Sequence, residues 1–185
     1  DVVEIPLAAD WSMAADFLPR LKESNAKVVF LVNPHAPTGL LLSQEYLATI
    51  AENFAGILVI DEAYVDFIDP EKKYDSIPLI SSFDNVLILR TLSKGYSLAG
   101  LRFGYALGST SLVSPMLFKT RDSYNTDTIS QQLAVAALQS KAHAESGWEK
   151  IRASRSKLIS ALNNLRLTCL SSQSNFVLCQ VPASI

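Results

Sequence analysis

The chain has 185 residues, of which 49% are hydrophobic and 18% are charged, and its formal net charge is −2. This composition excludes a disordered protein, and the nearly balanced charge gives no reason to expect nucleic acid as a partner. No apolar stretch reaches the roughly 20 residues of a membrane helix and the N-terminal residues lack a signal-peptide pattern, so we expect a cytoplasmic protein without membrane contact. Cys169 and Cys179 do not indicate a disulfide framework, and we expect free thiols in a reducing compartment.

Apolar runs of strand length alternate with helical patterns along the chain, which predicts an α/β fold. We predict strands at residues 27–32, 57–60, 86–90 and 103–107, and two short ones at 167–170 and 175–180. The predicted helices are residues 13–23, 43–51, 129–139 and 144–165, with Ser43 and either Thr126 or Asp127 as caps. The first three strands are continuously apolar, as expected for strands that are covered on both faces.

Three of these strands end in polar segments that a structural role does not require. They are NPHAPTG (residues 33–39), DEAY (61–64) and TLSK (91–94). Because ligands of open α/β sheets bind beyond the carboxyl ends of the strands, we expect the three segments to meet at one site. A turn without function is an alternative for the first segment. A carboxylate metal site is an alternative for the second, but no histidine or asparagine completes a metal shell, so we expect no metal.

The segment TLSKGYSLAGLRFGY (residues 91–105) combines the parts of an anion site with a lysine. Thr91 and Ser93 offer hydroxyls beside accessible backbone amides, and Arg102 adds a fork that suits a phosphate. Lys94, partly buried near that arginine, is expected to have a lowered pKa and to form a Schiff base. A solvated surface lysine is the alternative for Lys94 considered alone. A serine acyl-enzyme of the Ser-x-x-Lys type is another, but Thr91 stands where that chemistry requires a serine.

Together these residues match the requirements of pyridoxal 5′-phosphate. The aldehyde of this cofactor requires a lysine, and its phosphate requires hydroxyls, amides and an arginine. Its pyridine nitrogen requires a carboxylate, for which Asp61 is the candidate, and its phenolic oxygen requires a hydrogen-bond donor such as Tyr64.

The runs NPHAPTG, VIDEAYVDF and RTLSKGYSLAGLRFGYALG resemble fold-type I pyridoxal-phosphate-dependent aminotransferases, most closely the histidinol-phosphate aminotransferase group. The resemblance covers about residues 1–180 and implies a three-layer α/β/α domain with a mostly parallel sheet. It implies that Lys94 binds the cofactor aldehyde and shuttles the substrate proton, while Asp61 pairs with the pyridinium nitrogen and Tyr64 with the phenolic oxygen. Its implied phosphate ligands are Thr91, Ser93 and Arg102.

One position departs from the pattern of that family. An asparagine commonly stands directly before Pro-Thr-Gly there and touches the phenolic oxygen, whereas this chain has Ala36. Asn33 or His35 is a candidate replacement, and we include Asn33 among the cofactor-binding candidates. The alternative is that Tyr64 contacts the phenolic oxygen alone.

The resemblance also implies a domain boundary. We expect residues 1–143 to be part of a large cofactor-binding domain and residues 144–185 to be a linking helix and the beginning of a small C-terminal α+β domain. The chain starts without methionine, inside what looks like a strand, and stops just after another strand, so we expect a fragment of a larger, homodimeric protein, inactive by itself.

For the parent protein, the resemblance implies exchange of an amino group between histidinol phosphate and 2-oxoglutarate or glutamate, a step of histidine biosynthesis. Its expected partners are therefore a small-molecule amino donor and a 2-oxo acid. Two alternatives remain open: another fold-type I enzyme such as a threonine-phosphate decarboxylase, and a non-catalytic truncated domain.

Overall fold

A computed structural model describes residues 2–120 and 124–182 of the chain. The helices are α1 (Phe17–Glu23), α2 (Gln44–Asn53), α3 (Leu79–Ser82), α4 (Thr110–Lys119), α5 (Thr128–Gln139) and α6 (Lys141–Asn164). The strands are β1 (Val28–Val32), β2 (Ile57–Asp61), β3 (Val86–Thr91), β4 (Gly104–Gly108), β5 (Thr168–Cys169) and β6 (Cys179–Gln180). Three short 3-10 turns lie at Val65–Phe67, Pro70–Lys72 and Ala99–Leu101.

The main sheet has the strand order β1-β2-β3-β4, in which the first three strands are parallel and β4 runs antiparallel to β3. In the parallel part, Asp61 is in register with Val32 on one side and Leu89 on the other. The expected α/β fold with a mostly parallel sheet is therefore confirmed. All four main strands lie within one residue of their predicted bounds.

The hydrophobic core covers one face of this sheet. Leu58 and Ile60 of β2 and Ile88 of β3 are fully buried there against α1, α2 and α3. Burial of each such side chain contributes about 2 kcal/mol to folding. The opposite face is open at β1, where Phe30 is 68% exposed although its neighbour Leu31 is 8% exposed. The expectation that β1 is covered on both faces is wrong for this chain.

The helices follow local capping signals where these are present. The Ser43 hydroxyl accepts a hydrogen bond from the amide of Tyr46 and begins α2, and the Asp127 carboxylate accepts one from the amide of Ser130 and begins α5. Helix α4 was not predicted, because Pro115 lies inside it and proline normally ends a helical pattern. Among the described residues, no helix combines the length and the apolar character needed to cross a membrane.

The two short strands β5 and β6 pair antiparallel after the long helix α6. Cys169 and Cys179 stand directly opposite each other in this pair and form a disulfide bond. The expectation of free thiols is therefore wrong. The predicted strand at residues 175–180 is much shorter in the structure, because residues 171–178 form a loop in which Gln173 hydrogen-bonds to Gly39 and Asp69.

Candidate active site

The carboxyl-terminal ends of the three parallel strands lie side by side at one end of the sheet, as expected. The amide of Asn33, directly after β1, donates to the carbonyl of Asp61 at 2.8 Å. The amide of Glu62, directly after β2, donates to the carbonyl of Leu89 at 2.8 Å. Asp61 itself is half-buried, and its carboxylate accepts a hydrogen bond from the amide of Ala63 at 3.0 Å. The three polar segments are therefore neighbours in space.

The segment after β3 forms a compact loop with two hydroxyls at its start. The Oγ1 of Thr91 lies 2.9 Å from the Oγ of Ser93 and accepts a hydrogen bond from the amide of Ser93 at 3.1 Å. The amide of Leu92 donates to the carbonyl of Phe103, and the amide of Leu98 donates to the carbonyl of Leu92. These bonds fold residues 92–103 back onto the end of β3.

Arg102 ends this loop in the left-handed backbone region, with φ 55°. The side chain is exposed and donates one hydrogen bond, from Nη1 to the carbonyl of Ala99 at 2.9 Å. A guanidinium has five N–H donors, so this bond leaves ample capacity for an anion. The Thr91 hydroxyl lies 3.2 Å from the carbonyl of Phe103, so the backbone directly after Arg102 lies next to the hydroxyl pair.

Lys94 lies near Tyr64, with its Nζ 5.6 Å from the centre of the tyrosine ring. Lys94 is exposed, so the expected partial burial of this lysine is wrong for this chain. Its loop is held from the other side by α6, where the indole nitrogen of Trp148 donates to the carbonyl of Gly95 at 2.7 Å. Trp148 also contacts Tyr96 edge to face, with ring centres 5.6 Å apart.

A buried ion pair lies directly beside Asp61 and was not predicted from the sequence. The Glu62 carboxylate is fully buried and accepts hydrogen bonds from Nε and Nη2 of Arg90, at 2.9 and 2.8 Å. Its other oxygen accepts from the hydroxyls of Tyr74 and Ser76. Burial and the neighbouring carboxylate raise the pKa of Tyr74. Because Glu62 is saturated by these partners, it fixes the backbone that carries Asp61 and is not a candidate ligand.

Asn33 has a structural environment. Its side-chain amide is fully buried, donates to the carbonyl of Leu42 and to the hydroxyl of Tyr74, and accepts from the amide of Leu42 at 2.7 Å. His35, the other candidate replacement for the asparagine missing at Ala36, bonds to the hydroxyl of Thr38 at 2.8 Å, and burial lowers its pKa. These contacts fit residues that shape the loop after β1.

Asp66 packs against the loop that carries Lys94. A Cβ atom placed on Gly95 would overlap the Asp66 carboxylate, so this position requires glycine. Burial raises the pKa of the Asp66 carboxyl to about 6, an effect that Arg90 opposes and Glu62 reinforces. A 770 Å³ cavity opens beside these groups, between the edge of the sheet and the first turns of α6.

This topology makes the chain an open α/β protein, a class whose ligands bind beyond the carboxyl ends of the parallel strands. The chain belongs to the aminotransferase class I and II family, whose pattern it matches over residues 1–184.

Individual relatives agree with this membership. A histidinol-phosphate aminotransferase of Microcystis aeruginosa is 43% identical over 157 residues, which are 85% of this chain and 44% of that protein. The crystal structure of histidinol-phosphate aminotransferase from Sinorhizobium meliloti in complex with pyridoxal-5′-phosphate has a TM-score of 0.84 and 30% identity, covering 95% of this chain and 48% of that one. A decarboxylase from Sulfurospirillum multivorans has a TM-score of 0.82 and 25% identity, covering 98% and 54% of the two chains. The chain thus spans about half the length of the curated relatives it matches.

Proposed function

We propose that the protein to which this chain belongs is a pyridoxal-phosphate-dependent aminotransferase of histidine biosynthesis. It exchanges an amino group between histidinol phosphate and 2-oxoglutarate, and it works as a homodimer. The observation that carries the proposal is the meeting of the Asp61, Tyr64 and Lys94 segments at one sheet edge, in a chain that is 43% identical to a protein named for this reaction.

The donor set of the site fits the cofactor. Two hydroxyls 2.9 Å apart, at Thr91 and Ser93, and the exposed guanidinium of Arg102 suit a phosphate group. The carboxylate of Asp61 and the phenol of Tyr64 suit the two polar positions of the ring. The amine of Lys94 is exposed, which suits a group that reacts with an aldehyde.

When bound, the cofactor supplies an aldehyde carbon for the amino group and a ring that withdraws electrons from the substrate. Nζ of Lys94 would hold the aldehyde carbon of the cofactor, and the same amine is the group on this chain that would accept and return the proton of the substrate carbon. The negative charge of Asp61 keeps a proton on the ring nitrogen, without which the ring is a poor acceptor of electrons. The Tyr64 hydroxyl donates to the ring oxygen, and Thr91, Ser93 and Arg102 fix the phosphate.

Residues 1–143 and 144–185 are proposed to belong to a large and a small domain, with α6 as the link. Asn33 supports the loop after β1 in this proposal, in keeping with its bonds to Leu42 and Tyr74. Because the chain spans about half the length of its relatives, we propose that it binds the cofactor weakly by itself and does not turn over.

The proposal is tested by adding pyridoxal phosphate to this chain and to the longest natural polypeptide that contains it. Borohydride reduction followed by peptide mapping is expected to mark Lys94, and a K94R variant serves as the control. The longer polypeptide is expected to form glutamate from histidinol phosphate and 2-oxoglutarate. Unmodified Lys94 in both samples would contradict the cofactor assignment and favour a non-catalytic domain.

A second candidate function is decarboxylation of an amino acid phosphate. It is favoured by the similarity in fold to the Sulfurospirillum multivorans decarboxylase, at a TM-score of 0.82. The two reactions use the same lysine and differ in products. Release of carbon dioxide from threonine phosphate without formation of glutamate would replace the aminotransferase proposal with this one.

A further inference from the structure

The loop between β5 and β6 brings an aromatic ring onto Tyr64. Phe176 contacts the Tyr64 ring edge to face, with ring centres 4.9 Å apart and planes at 85°. Both rings are half-buried, and Nζ of Lys94 lies 5.6 Å from the centre of the Tyr64 ring. The contact joins residues that are 112 positions apart in sequence, and it restricts the directions in which the Tyr64 hydroxyl can point.

The loop that carries Phe176 is fixed at its own ends. The amide of Leu170 donates to the carbonyl of Leu178 at 2.9 Å, next to the disulfide between Cys169 and Cys179. The Ser172 hydroxyl is buried and donates to the carbonyl of Phe176 at 2.6 Å. The backbone conformation of Phe176 is therefore set within the loop.

A second set of contacts ties this loop to the segment that follows Tyr64. Arg155 of α6 is 5% exposed and donates from Nη1 to the carbonyls of Phe67 and Ser174, both at 2.9 Å. Its Nη2 pairs with the carboxylate of Asp69. Gln173 closes the set, because its amide nitrogen donates to Asp69 and its amide oxygen accepts from the backbone of Asp69. We call these residues the Arg155 clasp.

We infer that Phe176, held by the Arg155 clasp, is a positioning residue that orients Tyr64 toward the ring oxygen of the cofactor. The inference rests on the function proposed above. An edge-to-face aromatic pair changes the population of the orientation it favours by a factor of about two to twelve. A Tyr64 hydroxyl that donates to the ring oxygen favours the unprotonated form of the lysine-bound cofactor. Loss of the Phe176 ring therefore shifts that protonation equilibrium by up to the same factor.

The test is a spectroscopic pH titration of the longest natural polypeptide containing this chain, loaded with pyridoxal phosphate. F176L is expected to raise the pH midpoint of the absorbance change by about 0.3 to 1 unit, the logarithm of that factor. F176Y retains the ring and is expected to keep the original midpoint. Y64F is expected to raise the midpoint at least as far as F176L. The double variant F176L/Y64F is expected to match Y64F alone, because Phe176 acts through Tyr64.

The control F83L removes a partly buried ring from the main core, away from the site, and is expected to lower stability without moving the midpoint. If F176L does not fold, F176M carries the same comparison with F176Y. An unchanged midpoint in the Phe176 variants, with a shifted one in Y64F, would overturn the inference and leave the proposed function intact. Lys94 that takes up no cofactor, or Y64F without effect, would overturn the inference together with the Tyr64 assignment on which it rests.

Discussion

Removal of the Arg90 side chain tests the importance of the buried ion pair beside Asp61. The Glu62 side chain has no exposed area, whereas 24% of the Arg90 side chain is exposed. R90M therefore leaves a buried carboxylate with only the hydroxyls of Tyr74 and Ser76 as donors. Breaking a buried ion pair in this way lowers the free energy of unfolding by about 3–5 kcal/mol. Because two hydroxyl donors still bond to the carboxylate, we expect a loss of about 3 kcal/mol, at the lower end of that range.

The double-mutant cycle separates the pair from its surroundings. E62Q retains an oxygen for Tyr74 and Ser76 and leaves Arg90 near solvent, so we expect a loss of about 1–2 kcal/mol. The double variant R90M/E62Q is expected to lose about as much as E62Q, because no buried charge is left unpaired.

Urea unfolding of this chain at pH 7, followed by circular dichroism, measures these differences. K141M removes one partner of an exposed pair with Glu145 and is expected to cost less than about 0.5 kcal/mol. A loss below about 1 kcal/mol in R90M, or losses from the two single variants that simply add, would refute the reasoning.

Three further predictions concern the neighbourhood of Lys94. The Asp66 carboxyl has a pKa of about 6 in the folded chain and about 3.9 when unfolded, so its protonated form favours folding. The resulting stabilisation is complete below about pH 4, and about 2–3 kcal/mol of unfolding free energy is lost as the pH rises through 6. D66N should remove this pH dependence from urea midpoints measured between pH 4 and 8. An unchanged pH dependence in D66N would contradict the raised pKa of Asp66. W148F keeps a ring but loses the hydrogen bond to the Gly95 carbonyl, so we expect the free energy of unfolding to fall by about 1 kcal/mol and the Ser97 amide to exchange faster. Equal exchange rates in the two proteins would show that the Trp148 hydrogen bond does not hold this loop. R102K keeps the positive charge but loses the two-pronged hydrogen bonding of the guanidinium, so pyridoxal phosphate should bind about tenfold more weakly in an absorbance titration. An unchanged dissociation constant would rule out a contact between Arg102 and the phosphate.

The sequence predicted the sheet well because the information for it is local. Each of the first three main strands is a continuous apolar run, and a run of that kind is visible without knowledge of the fold. The caps Ser43 and Asp127 also act within three residues of themselves. Helix α4 was missed because Pro115 is tolerated by its surroundings, which no local rule reveals.

In the candidate site, too, the residues near strand ends were predicted from the sequence, whereas the contacts between distant segments were not. Asp61 ends β2 and Lys94 follows β3 by three residues, so the prediction that their segments lie at the same end of the sheet followed from topology. Arg155 and Asp69 are 86 residues apart, and Phe176 reaches Tyr64 only because the loop after β5 returns to the sheet. Such contacts have no periodic pattern in the sequence. The disulfide was missed for a related reason, since nothing in the spacing of two cysteines ten residues apart requires them to face each other.

The open face of β1 affects how the chain behaves in concentrated solution. In the part of the chain that the structure describes, β1 is the outermost strand of its sheet, and its sequence VVFLV contains no charge, proline or glycine. An uncharged apolar edge of this kind is a template on which further copies can add strand by strand, and natural proteins normally block it. Self-association through the unpaired backbone of this edge therefore competes with folding, and the exposed ring of Phe30 on the open face adds apolar area to such a contact, so low protein concentration favours the folded monomer.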